Sequence, residues 1–146
     1  MHRDLKLLNI LLSDKSDKPR VKLADFGLAV ALPPKVMIIK KAGTVAFMAP
    51  ELVYEEPSDF KADIWSLGIL LYTLISSGLP FDAGCYTNER IHEVIGKEIP
   101  FEGPEWQSVD PHAIDLIRNM LIFEQDQRYG IEQVLSHPWL AQESTV

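Results

Sequence analysis

The sequence predicts a mainly α-helical domain carrying one short β-hairpin, and three stretches lead to that class. Ile64 to Phe81 contains no charged residue, and a helix apolar on nearly every face is buried all round. Pro111 to Phe123 spaces Ile114, Leu116, Ile117, Met120 and Leu121 so that a helix would turn them largely inward. Two apolar runs, Asn9 to Leu12 and Val21 to Ala24, flank the charged, proline-bearing turn Ser13 to Arg20, which is the pattern of a two-stranded hairpin. At 146 residues the chain makes one domain with a sizeable core.

In chain order, His2 to Asn9 reads as a loop and is followed by the hairpin. The hairpin turn invites comparison with a calcium loop, because Asp14 and Asp25 stand at its first and twelfth places. Pro19 falls where that loop needs glycine, Lys18 where it needs an oxygen, and Asp25 where it needs a bidentate glutamate, so calcium is rejected. Ala49-Pro50-Glu51 opens a short helix. Ser58 or Asp59 is a cap for the helix Phe60 to Ser77, which Gly78 and Pro80 stop. Within it Asp63 is the exception, since a lone carboxylate is costly to bury unless hydrogen bonds satisfy it. Thr87 to Ile95 reads as a half-exposed helix, Pro100 to Trp106 as an irregular crossing, and Ile131 to Leu135 as the last helix.

Composition removes several classes of function. A net charge of −7 argues against nucleic acid, whose phosphates need lysine and arginine. One cysteine, Cys85, forms no internal disulfide and reads as a small buried or half-buried thiol. No signal peptide is visible. Ile64 to Phe81 approaches bilayer-spanning length but holds Ser66, Gly68, Thr73, Ser76, Ser77, Gly78 and Pro80, so a buried helix is the better account and no membrane is expected. The histidines show no metal-ligand spacing; His92, His112 and His137 read as surface or capping residues. A cytoplasmic protein is expected.

The chemistry concentrates in His2-Arg3-Asp4-Leu5-Lys6-Leu7-Leu8-Asn9. Asp4 can take a proton from an attacking hydroxyl. The amide oxygen of Asn9 is a hard ligand suited to Mg²⁺, and Asp25 in Asp25-Phe26-Gly27 supplies a second, with Gly27 allowing a sharp turn.

These two motifs, followed in order by Gly43-Thr44, Ala49-Pro50-Glu51, Asp63-Ile64-Trp65-Ser66-Leu67-Gly68, Arg128 and His137-Pro138-Trp139, resemble the C-terminal lobe of a eukaryotic-type serine/threonine protein kinase. The flavour is that of the calcium- and calmodulin-dependent group. The resemblance runs from His2 to about Trp139, assigning residues 1–140 to a partial kinase domain and 141–146 to a tail. It implies the large lobe of the fold with the small lobe absent from these 146 residues, since no glycine-rich flap, strand lysine or hinge precedes His2. It also implies ATP and Mg²⁺ as cofactors and a protein as substrate.

By resemblance Asp4 is the base, Lys6 neutralises the transferring phosphoryl group, and Thr44 is a structural hydroxyl bonding Asp4 and Lys6. Asn9 and Asp25 hold the metal, while Leu11 and Ala24 line the adenine pocket. Backbone amides of the Asp4 loop satisfy Asp63, and Glu51 pairs with Arg128 in a buried ion pair whose disruption would cost about 3 to 5 kcal/mol. A surface arginine and a surface capping Asp63 are the plainer alternatives.

Some positions depart from the pattern. Arg3 would pair with a phosphate on the segment Leu28 to Met48, but Phe26 to Gly43 holds no Ser, Thr or Tyr and Lys40 takes the corresponding place, where it would repel Arg3. Leu7 and Leu8 replace the usual proline and glutamate, and Thr73 replaces a second acid, which weakens any preference for basic substrates. Phe47 replaces a common tyrosine, losing a hydrogen bond worth about 1 kcal/mol. Two functions follow: a catalytic lobe working in its full-length context and inactive alone, or a truncated, pseudokinase-like binding module without turnover. Either exposes a helical face that a small lobe or another partner would cover.

Overall fold

A computed structural model describes residues 1–33, 35–81 and 98–141. The expected helix Thr87 to Ile95, with Cys85 and His92, lies outside the described residues, as do 142–146. Strands β1 (Ile10–Leu12) and β2 (Val21–Leu23) pair antiparallel, with Ile10 opposite Leu23, Leu11 opposite Lys22 and Leu12 opposite Val21. Ser13 closes the ladder by donating its N–H to the Arg20 carbonyl, and Asp14 fixes the turn by accepting from the Ser13 hydroxyl and the Ser16 amide. The hairpin buries little of its apolar content: Leu12 is 60% and Val21 64% exposed.

The helices carry the core. Pro50–Val53 (α1) starts with proline, whose missing N–H costs nothing at a helix's first position, and all four residues are buried. Lys61–Ser76 (α2) is the central helix. Asp59 caps its start by accepting from the Lys61 amide at 2.7 Å, whereas Ser58 is buried and donates its hydroxyl to the Ile38 carbonyl. The helix stops one residue earlier than its glycine suggests: Ser77 takes the left-handed conformation, φ 57°, and donates its N–H to the Thr73 carbonyl.

Trp65, Ile69 and Tyr72 of α2 pack with Met48, Ala49, Leu52 and Val53 on one side and with Ile117 and Leu121 on another. Pro111–Met120 (α3), capped by Asp110 at the His112 amide, approaches α2 closely at Gly68. A Cβ at Gly68 would come within 2.8 Å of the Leu121 side chain, so the two helices need glycine there. A second cluster joins Ile64, Leu116, Met120 and Val134, extended by Trp139.

Burial all round is not what α2 shows, because Leu74 is 57% exposed. The core partners lie on the faces of Trp65, Ile69 and Tyr72, and Leu74 projects away from them. Among the described residues no helix is long and apolar enough to cross a membrane. Beyond Ile131–Leu135 (α4) there is one further turn, Pro138–Ala141 (α5). His137 caps it and is not a surface residue: buried, its Nδ1 accepts from the Trp139 amide and its Nε2 lies 3.0 Å from Asp115 Oδ2.

Candidate active site

The His2–Asn9 loop is held by its backbone before its side chains do anything. The amides of His2 and Arg3 donate to the two carboxylate oxygens of Asp63, at 2.6 and 2.8 Å. Asp63 itself is only half-buried. Arg3 adopts a left-handed φ of 70°, which aims both N–H groups at one acceptor residue. Gly43 completes the support from across the site: its φ is 111°, and a Cβ there would collide with the Arg3 carbonyl.

His2 is a positioning residue to which the sequence alone assigned no role. Its Nδ1 accepts from the Asp4 amide at 3.3 Å, so the ring proton sits on Nε2, which donates to the Ala24 carbonyl at 3.1 Å. The ring also lies against Phe26, centroids 4.9 Å apart. One neutral imidazole therefore ties the loop to the strand end beside Asp25. Its only sequence signal was its place two residues before Asp4.

Asp4 is 9% exposed and accepts four hydrogen bonds through its carboxylate. Thr44 donates its amide and hydroxyl to Oδ1 at 2.9 and 2.7 Å. Lys6 Nζ and Asn9 Nδ2 donate to Oδ2 at 2.7 and 3.1 Å, and Lys6 also reaches the Thr44 hydroxyl at 2.7 Å. Burial pushes the Asp4 carboxyl up, but the Lys6 ammonium and the Thr44 bonds outweigh it and hold the group below its ordinary value of 3.8. It is an ionised, fixed acceptor at neutral pH.

Asn9 spends its amide N–H₂ on the Asp4 carbonyl and carboxylate, leaving its side-chain oxygen as the end available to a ligand. The Ala24 amide donates to the Asn9 carbonyl at 2.9 Å, so the hairpin brings Asn9 beside the strand that ends at Asp25. At the Asp25 turn the left-handed residue is the aspartate, φ 57°, and not Gly27. Gly27 contributes room and a donor: its N–H meets Asp25 Oδ1 at 3.2 Å, and a Cβ would stand 3.1 Å from that oxygen. Among the described residues no group of three or more His, Cys, Asp or Glu side chains could enclose a metal. The Asn9 side-chain oxygen and the Asp25 carboxylate are hard donors of the kind that Mg²⁺ takes alongside water and phosphate.

The structure thus joins Asp4, Lys6, Asn9 and Thr44 in one network and links Arg3 to Asp63 beneath it. Leu11 lies on β1, 51% exposed, and Ala24 is half-buried at the end of β2. Arg3 Nε donates to the Leu28 carbonyl at 2.6 Å. Glu51 and Arg128 form a separate bidentate pair at 2.8 and 2.9 Å.

The family profile of the protein kinase domain matches residues 1–140. Ribosomal protein S6 kinase alpha-6 of Mus musculus is 40% identical over 146 residues, covering 97% of this chain and 19% of that protein. Serine/threonine-protein kinase D2 of Rattus norvegicus is 34% identical over 145 residues, covering 99% of this chain and 16% of that protein. The chain therefore spans less than a fifth of the length of either relative.

Proposed function

This chain belongs to the protein kinase domain family, and we propose that in its full-length context it transfers the γ-phosphoryl group of ATP to a serine or threonine hydroxyl of a protein. The observation that carries this reading is the Asp4 carboxylate, held ionised between Lys6 and Thr44. In the transfer the acceptor oxygen forms the new bond to the γ-phosphorus, the bond to the β–γ bridging oxygen breaks, and its electron pair leaves with ADP. Asp4 orients the acceptor and takes its proton, and a weak base suffices because the transition state is loose. Lys6, anchored on Asp4 and Thr44, would offset charge on the moving phosphoryl group.

The free oxygen of Asn9 and the carboxylate of Asp25 would hold Mg²⁺, which when bound neutralises charge on the phosphates. Leu11 and Ala24 offer an apolar surface to adenine. Arg3, Gly27, Asp63 and the Glu51–Arg128 pair hold these groups in place. Residues 1–140 are read as the large lobe, of the calcium- and calmodulin-dependent type, working inside the cell. The exposed apolar residues of the hairpin and of α2 are the face that a small lobe or another partner would cover.

Positioning supplies roughly 7 to 11 kcal/mol in such reactions, and these 146 residues hold only part of what would position ATP. Alone they are expected to act as a binding module without turnover. Transfer of labelled phosphate to a protein acceptor tests both statements. In the full-length protein Asp4→Asn should lower transfer by about 10²- to 10⁴-fold, the usual worth of a general base. Unchanged transfer there removes Asp4 from its role. Transfer by the 146-residue chain above its own Asp4→Asn control would show that it is an enzyme unaided.

A further inference from the structure

A cavity of about 380 Å³ opens between the C-terminal side of α1 and the segment after α3, and it shares no lining residue with the Asp4 network. Its walls are largely apolar, built from Pro50, Tyr54, Pro57 and Phe123, while Glu56, Glu124 and Asp126 stand at its rim. All three rim residues are exposed, and among the described residues none of their carboxylates meets a cation.

The neighbouring cations are already committed. Arg128 gives Nη1 to Glu51 and the Lys61 carbonyl, Nη2 to Glu51 and the Phe123 carbonyl, and Nε to the Ile122 carbonyl. Its charge is cancelled by Glu51 at the cavity's base, so it does nothing for the rim. Lys61 Nζ donates to the carbonyl of Asp126 at 2.9 Å, not to its carboxylate. Three carboxylates against the one ammonium of Lys61 leave the lining of this largely apolar hollow net negative.

That combination selects its occupant. A bare divalent ion would leave the apolar walls unfilled. A wholly apolar side chain would fill them but leave the rim charges without a counterpart. An arginine does both: its aliphatic stem covers Pro57 and the aromatic walls, and its planar head meets carboxylates and ring faces. The chain's net charge of −7 makes a second copy of itself a poor match. The geometry points to a docking pocket for an arginine-bearing, basic segment of a partner protein, separate from the site of phosphate transfer.

The test uses a fluorescent hexapeptide alternating arginine and alanine, which has no hydroxyl to phosphorylate. Binding to the 146-residue chain is followed by anisotropy at low and high salt. The triple variant Glu56→Gln, Glu124→Gln, Asp126→Asn keeps the shape of three exposed side chains, and an unchanged melting temperature verifies its fold. It should weaken binding at least about tenfold, and replacing arginine by citrulline in the peptide should do the same. Asp4→Asn should leave binding unchanged, so that failure of the phosphotransfer reading and failure of this one are told apart. No binding, equal binding by the triple variant, or an equal loss in a Glu55→Gln, Glu132→Gln control would overturn the assignment.

Discussion

Glu51 meets Arg128 at 2.8 Å and Asp4 meets Lys6 at 2.7 Å, but the first pair has side chains 6% and 0% exposed while the second keeps Asp4 at 10% and Lys6 at 21%. Around Arg128 every donor nitrogen has found an acceptor, three of them backbone carbonyls. Around Asp4 the donors are side chains and one amide, and both Lys6 and Asn9 retain capacity toward a ligand. The contrast separates two uses of the same chemistry. A sealed, saturated pair fixes the joint between α1 and the segment after α3, whereas an open pair at the rim of a loop stays able to act on something else.

The largest effect should come from breaking the sealed pair. Arg128→Met strands Glu51 in the interior and should lower unfolding free energy by about 3 to 5 kcal/mol in urea titration. The double variant Glu51→Met, Arg128→Met should regain most of it. A double variant as unstable as the single one would show that the bonds Arg128 makes, to Glu51 and to the Ile122, Lys61 and Phe123 carbonyls, and not the orphaned charge, carry the stability. Second in size is Asp63→Ala, which removes a charged acceptor from the His2 and Arg3 amides. A loss of about 2 to 3 kcal/mol is expected, with the amide exchange of those two residues accelerating most.

Asp4→Asn should be mildest at neutral pH, within about 1 kcal/mol, as for other partly exposed pairs. Its signature lies in acid. The folded Asp4 carboxyl titrates below its ordinary 3.8, so the stability it contributes is present above that value and is lost as pH falls through the lower, folded one. The variant's stability profile should flatten over that acid limb. A profile as steep as that of the parent would mean that Lys6 and Thr44 do not hold the charge in solution.

Much of this arrangement was legible in the residues. Two apolar runs about a charged turn placed the hairpin, an uncharged stretch between a cap and a glycine placed α2, and inward-facing spacing placed α3, each to within a few positions. Motif spacing singled out Asp4, Thr44, Asp63, Glu51 and Arg128, and the structure sets Thr44 on Asp4, Asp63 on the His2 and Arg3 amides and Glu51 on Arg128, while the Asn9 amide meets Asp4. The misses are of two kinds. Ser77 and Asp25 adopt left-handed backbone where Gly78 and Gly27 stood as the natural candidates. His137 was read as capping or surface, and its capping bond survives while its exposure does not. The left-handed residues depart from the glycine preference within their own turns, whereas His137 meets Asp115, 22 positions away, a contact that local preference cannot weigh. His2 went unassigned for the same reason as His137, since its bond to the Ala24 carbonyl, 22 positions away, appears only when the loop meets the end of β2.

The bonds from the His2 and Arg3 amides to Asp63 span 61 and 60 positions. Closing so long a loop costs entropy that only a preformed acceptor can repay, and that acceptor sits in the first turn of α2. The first turn of α2 must form before the bonds to it, so the loop bearing Asp4 is expected to lock after that helix. Pulse-labelling during refolding should find the two amides protected after those of α2. A chain interrupted midway would be a scaffold already, with its chemistry still to arrive.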